Sequence, residues 1–145
     1  MDKTPPGDDN VAPRSDVLRA AAAFSGDPAA CSRARDFTAA FLRRAARADD
    51  RVQLSRCGDV VLVVTELLTN AMRHAPGPCA LTLELVGVEL ALTVSDTSAQ
   101  RPTPQPFAPQ RVGGHGLHIV MALAKNVYSR QTPGGKAVRA VMSLA

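Results

Sequence analysis

The sequence predicts an α/β two-layer sandwich, with a mixed, mainly antiparallel sheet and helices on one face. Three observations carry this expectation. Residues 62–75, LVVTELLTNAMRHA, follow a helical apolar period. The two stretches after them, CALTLELV and ELALTVS, alternate with period two on either side of Gly87. A chain of 145 residues with 46% apolar content is the size of one globular domain with a continuous core. Aromatic residues make up only 3%, with no Trp, so that core must be aliphatic.

Composition narrows the function classes. A formal charge of +4 permits contact with nucleic acid, nucleotides or an acidic protein. The arginines are spread over several segments, without the aromatic interleaving of single-strand binders and without zinc-finger spacing. Direct nucleic-acid binding is therefore disfavoured. Three cysteines, Cys31, Cys57 and Cys79, suggest reduced thiols rather than a paired framework. No signal-peptide core opens the chain, and the apolar runs are too short to span a bilayer. The expectation is a soluble cytoplasmic protein that does not engage a membrane.

Residues 1–16 hold three Pro, one Gly and four Asp with little to bury, and read as a disordered tail. Residues 17–145 read as the single domain. Val17–Phe24 admits a helix by its alanine run and a short edge strand by its length. Asp27 before Pro28 suits a helix start, with the helix running to about Ala48 and its arginines turned away from an apolar stripe. A second helix begins near residues 54–58 and ends before Pro76-Gly77-Pro78. Strands are expected over 79–86 and 89–95, although Val88 after Gly87 is an unusual hairpin residue. Residues 97–112, with Pro102, Pro104, Pro106 and Pro109, are too long for an ordinary connection and read as a functional lid or a disordered linker. An aliphatic helix over 117–125 and paired strands over 127–131 and 138–144 complete the chain.

On the helix 62–75, Glu66 and Asn70 lie about 40° apart around the axis, opposite the apolar side. A carboxylate one turn from a carboxamide can hold a metal ion, align a water, or do both. Asp96 is delivered to a strand end, where side chain and backbone can meet a ligand. Gly113, Gly114 and Gly116 precede a helix and can place backbone N–H groups around an anion. Neither a P-loop nor a βαβ dinucleotide fingerprint is present. His115 and His118 have no evident third ligand, so a zinc site is disfavoured.

Taken together, the ordered motifs resemble the GHKL, or Bergerat-fold, ATPase domain shared by DNA gyrase B, sensor histidine kinases and MutL. The likeness covers roughly residues 18–144. It is most specific at Glu66-Leu67-Leu68-Thr69-Asn70-Ala71 with His74-Ala75, at Asp96, and at Gly114-His115-Gly116-Leu117. Gly134-Gly135-Lys136-Ala137-Val138 resembles the turn and last strand. Within the family, the chain is most similar to the bacterial anti-sigma factor and serine-protein kinase regulatory branch.

The resemblance implies ATP and Mg2+ as cofactors. Asn70 would coordinate Mg2+, and Glu66 would be the general base or would orient the attacking hydroxyl or water. Asp96 would accept a hydrogen bond from the adenine amino group. Gly114, Gly116 and Leu117 would supply backbone contacts to phosphate, with His115 and Arg111 as further candidates. The implied activity is phosphorylation of Ser or Thr on an antagonist protein, alongside binding of a sigma factor or related partner and possible homodimerisation. The family's DxGxG box reads Asp96-Thr97-Ser98-Ala99-Gln100 here. Those missing glycines motivate an alternative, a non-catalytic nucleotide-binding or sequestering module.

Overall fold

The computed structural model describes residues 17–74, 77–97, 107–109 and 115–145. The tail expected at 1–16, most of the expected lid, Arg111 and Gly114 lie outside the described residues.

Val17–Phe24 is a strand, β1. Its alanines favour helix locally, but antiparallel pairing along its whole length with residues 79–86 overrides that preference. Leu18, Ala20, Ala22 and Phe24 turn toward the core, leaving Val17, Arg19, Ala21 and Ala23 on the open face. Asp27 is not the helix N-cap, which is Ala29 two residues on and makes no side-chain cap bond, but it does hold the turn before the helix. Its Oδ1 accepts the Ala29 N–H at 2.9 Å, and its carbonyl accepts the Ala30 N–H at 3.1 Å. This turn absorbs Pro28, so helix α1 spans Ala30–Ala48. Ala34, Phe41, Leu42 and Ala45 face inward, and Arg35, Arg43, Arg44 and Arg47 face solvent.

A single 3-10 turn at Leu54–Arg56 leads into helix α2, Cys57–His74. Its inward side carries Val60, Val63, Val64, Leu67, Leu68 and Ala71. Strands β2, Cys79–Val86, and β3, Glu89–Ser95, follow as a hairpin. Gly87 has φ 63°, while Val88 keeps a negative φ. Only the first central residue needs the left-handed region, which is how the turn tolerates Val88.

Ala108–Pro109 forms a short strand, β4, inside the stretch expected to be an irregular lid. Helix α3 covers His115–Leu123, two residues earlier at each end than expected. It stops because the Lys125 N–H turns to the Val141 carbonyl at 2.7 Å and starts the next strand. Strands β5, Asn126–Thr132, and β6, Gly135–Ser143, pair across Pro133-Gly134.

The sheet order is β1-β2-β3-β6-β5-β4, with every described pairing antiparallel. Leu81, Leu83, Leu85, Leu90, Leu92, Val94, Ala140 and Met142 make one sheet face apolar, and the helices cover it. Burying each large aliphatic side chain contributes about 1.5–3 kcal/mol. The architecture is the two-layer sandwich that the sequence predicts. Among the described residues, no helix is long and apolar enough to cross a membrane.

Candidate functional site

Strand alternation puts Leu90, Leu92 and Val94 of β3 into the core and then brings Asp96 to its end on the same side. The Asp96 N–H donates to the Lys136 carbonyl at 2.8 Å, continuing the β3–β6 ladder by one rung. The return bond goes elsewhere: the Lys136 N–H donates to Oδ1 of the Asp96 carboxylate at 3.0 Å. The side chain thus takes a bond that the Asp96 carbonyl would take in a regular ladder. The carboxylate is held at a fixed place although it stands at the start of a loop. Asp96 is only 6% exposed.

Gly135 makes this possible. A Cβ built on it would sit 1.8 Å from the Asp96 carbonyl oxygen and 2.9 Å from Oδ1. Any side chain there collides with backbone, which cannot swing aside as a flexible side chain could. A Cβ on Gly77 would lie 2.5 Å from Thr97 Oγ1, but that is a side-chain atom, which can rotate aside.

Other elements converge on the same end of the sheet. Cys79, at the start of β2, is buried. Burial pushes its thiol above the ordinary 9.0, and the Asp96 carboxylate and then Cys31 push it further the same way. Cys31, in the first turn of α1, lies 3.7 Å from the Thr69 hydroxyl of α2. Thr69 adjoins Asn70, so the start of α1, the second half of α2, the start of β2 and the end of β3 come together at this end of the sheet. Glu66 and Asn70 are each half-buried on α2. They sit between its core-facing and solvent-facing sides, as a cleft wall requires.

The phosphate-side candidates are divided by what is described. Arg111 and Gly114 fall outside the described residues. His115 and Gly116 open α3, whose first N–H groups have no partner within the helix. The side chain of Leu117 is buried in the core at 8% exposure, so any ligand contact falls to its backbone. His118 is exposed.

Sequence reasoning missed two things. It gives Gly135 and Lys136 a turn and a strand but no role, because the register that sets them against Asp96 is non-local. The second was legible in the sequence. After Asp96 no acidic residue occurs, while Arg101, Arg111, Lys125, Arg130, Lys136 and Arg139 all follow. The last third of the chain, which includes the loop expected to meet phosphate, carries only cationic charges, which suits a polyanion.

The donor set also suits the metal that the resemblance implies. A carboxylate and a carboxamide offer hard oxygen ligands, and Mg2+ is usually held by one or two such groups with phosphates and waters completing its shell. Among the described residues, no three His, Cys, Asp or Glu side chains group as a closed metal cage. Asn70 offers an oxygen donor of that kind on the α2 wall, with the Glu66 carboxylate one turn away.

The two-layer antiparallel sandwich thus carries a buried carboxylate at a strand end, with a polar helix wall at the same end of the sheet. The family described as the histidine kinase-like ATPase domain matches residues 24–142, and the chain belongs to that family. Among solved structures, the fold is similar to the RsbU and RsbW domains of Rv1364c from Mycobacterium tuberculosis, with a TM-score of 0.64 and 17% identity. That match covers 88% of this chain and 32% of the other, so the present chain spans about a third of its length. At that identity the likeness is one of fold. No curated protein matches.

Proposed function

We propose that residues 17–145 form an ATP-binding regulatory unit of the cytoplasm that phosphorylates Ser or Thr of an antagonist protein. It also binds a sigma factor or a related partner. The observation that carries this is the Asp96 clasp, a buried carboxylate fixed by the Lys136 N–H in a domain of the ATPase family. The anti-sigma assignment rests on the motif order around Glu66, Asn70, Asp96 and Gly114.

In this assignment Asp96 accepts from the adenine amino group, and its fixed position selects the base. Asn70 would hold Mg2+, which would supply charge neutralisation at the phosphates. The N–H groups of Gly114, Gly116 and Leu117, with His115 and the guanidinium of Arg111 as further contacts, hold the phosphate oxygens. Glu66 takes the proton of the attacking Ser or Thr hydroxyl. The new bond runs from that oxygen to the γ-phosphorus, and the bond to the β–γ bridging oxygen breaks, leaving ADP. The chain's contribution is positioning and charge stabilisation, which is most of what phosphoryl transfer needs.

Incubating the protein with Mg-ATP and its cognate antagonist should yield a phosphoprotein, and Glu66→Ala should abolish it. ATP binding without any transfer to a genuine partner would leave the second assignment, a nucleotide-binding sequestering module. The sequence Asp96-Thr97-Ser98-Ala99-Gln100 favours that one, since it lacks the glycines that let backbone approach a nucleotide.

A further inference from the structure

The base end of the cleft carries a cation with no role in the assignment above. Lys136 stands directly across the ladder from Asp96, sharing two hydrogen bonds with it at 2.8 and 3.0 Å. Cross-strand partners of this kind hold their Cβ atoms about 4.5–5.5 Å apart. Along β6, Lys136 shares its face with Val138, Ala140 and Met142, all buried under the helical layer. Its stem therefore rises on the side of the sheet that bears the cleft. The residue is partly exposed, and among the described residues its ammonium makes no ion pair and no hydrogen bond.

We propose that Lys136 is a second base-reading residue, whose ammonium donates to ring nitrogen N1 of the purine, beside the amino group that Asp96 accepts from. This rests on the assignment of Asp96 to adenine. The chemistry is complementary. The edge of adenine presents an amino donor and a ring-nitrogen acceptor on adjacent atoms. An ionised carboxylate only accepts and an ammonium only donates, so each protein group answers one atom of that edge. The base would be read by its pattern as well as by its shape. A lysine that merely drew in the triphosphate by charge would behave differently, because its effect would not depend on the base.

Calorimetric titration of the full chain with ATP and with 1-deaza-ATP, in which N1 is replaced by C–H, separates these cases when done with Mg2+ on wild type and Lys136→Met. Wild type should prefer ATP over 1-deaza-ATP by about tenfold, a charged hydrogen bond's worth, and Lys136→Met should bind the two within about twofold. Lys136→Arg should keep some of the preference. Equal losses for both nucleotides in Lys136→Met, or undiminished ATP affinity, would overturn the role of Lys136 and leave that of Asp96 standing. Wild-type protein that binds neither nucleotide would overturn both. Thermal melts of the unliganded variants identify any loss that comes from unfolding.

Discussion

Gly135 lies so close to Asp96 that a single added carbon would sit 1.8 Å from the Asp96 carbonyl oxygen. The hairpin between β5 and β6 therefore sets the position of the carboxylate at the end of β3. Gly135→Ala should push the two strands apart at that rung. We expect a stability loss of about 1–3 kcal/mol, as for other overpacking changes. ATP affinity should fall by more than the small drop in melting temperature explains. Chemical denaturation and calorimetry on the same variant measure both.

Glu66 and Asn70 share one wall but have separate tasks. Glu66→Gln keeps the shape and removes the base. Phosphate transfer should drop by about 10²–10⁴-fold while ATP binding stays near wild type. Asn70→Ala should instead abolish the increase in ATP affinity that Mg2+ confers. Transfer assays and titrations with and without Mg2+ separate the two, and identical defects in both variants would contradict the division of roles.

The Cys79 thiol has a sign that can be checked. Its folded-state pKa is raised by burial, then by Asp96 and Cys31, so the neutral form is favoured in the folded protein. The associated stability is fully present below the ordinary value of 9.0 and is lost as pH rises through the higher folded value. Melting temperature should decline above about pH 9, and Cys79→Ala should make that decline shallower. At pH 8 iodoacetamide should label Cys79 more slowly than the less buried Cys31 and Cys57.

Thr38 is fully buried on α1, and its hydroxyl has no hydrogen-bond partner among the described residues. Thr38→Val keeps the shape and removes the unsatisfied group. We expect stabilisation of about 1 kcal/mol in urea denaturation. A destabilisation of similar size would show that the hydroxyl has a partner.

Phe107 packs against both Arg130 and Arg139, whose guanidinium carbons lie 4.4 and 4.3 Å from the ring centroid. This fastens β4 to the edge of β5. Phe107→Ala should remove about 0.5–1 kcal/mol per contact and accelerate amide exchange at Tyr128 and Ser129 severalfold. Unchanged exchange would show that β4 is held by its backbone pairing alone.

What could be read in advance follows the range of the forces involved. The α2 wall was legible because a helix writes its faces in a local period, and Glu66 and Asn70 interrupt that period. The β2–β3 hairpin was legible from alternation around Gly87, and with it the delivery of Asp96 to a strand end. Val17–Phe24 stayed ambiguous because its alanines favour helix, and only β2 beside it decides for strand. β4 was hidden for the same reason, since the arginines that pack against Phe107 lie more than 20 residues further on. Gly135 and Lys136 could not be tied to Asp96 without the β3–β6 register. The absence of acids after Asp96 needed no register at all, and marks the cationic last third of the chain directly.

The central claim is that Asp96 holds the base of a nucleotide, and calorimetry with Mg-ATP on wild type and Asp96→Asn tests it most directly. Wild type should give a saturable heat of binding, and Asp96→Asn, still folded by its melt, should bind at least about tenfold more weakly. Wild-type protein that gives no binding heat and no thermal stabilisation by ATP, or an Asp96→Asn variant that binds ATP as tightly as wild type, would contradict it.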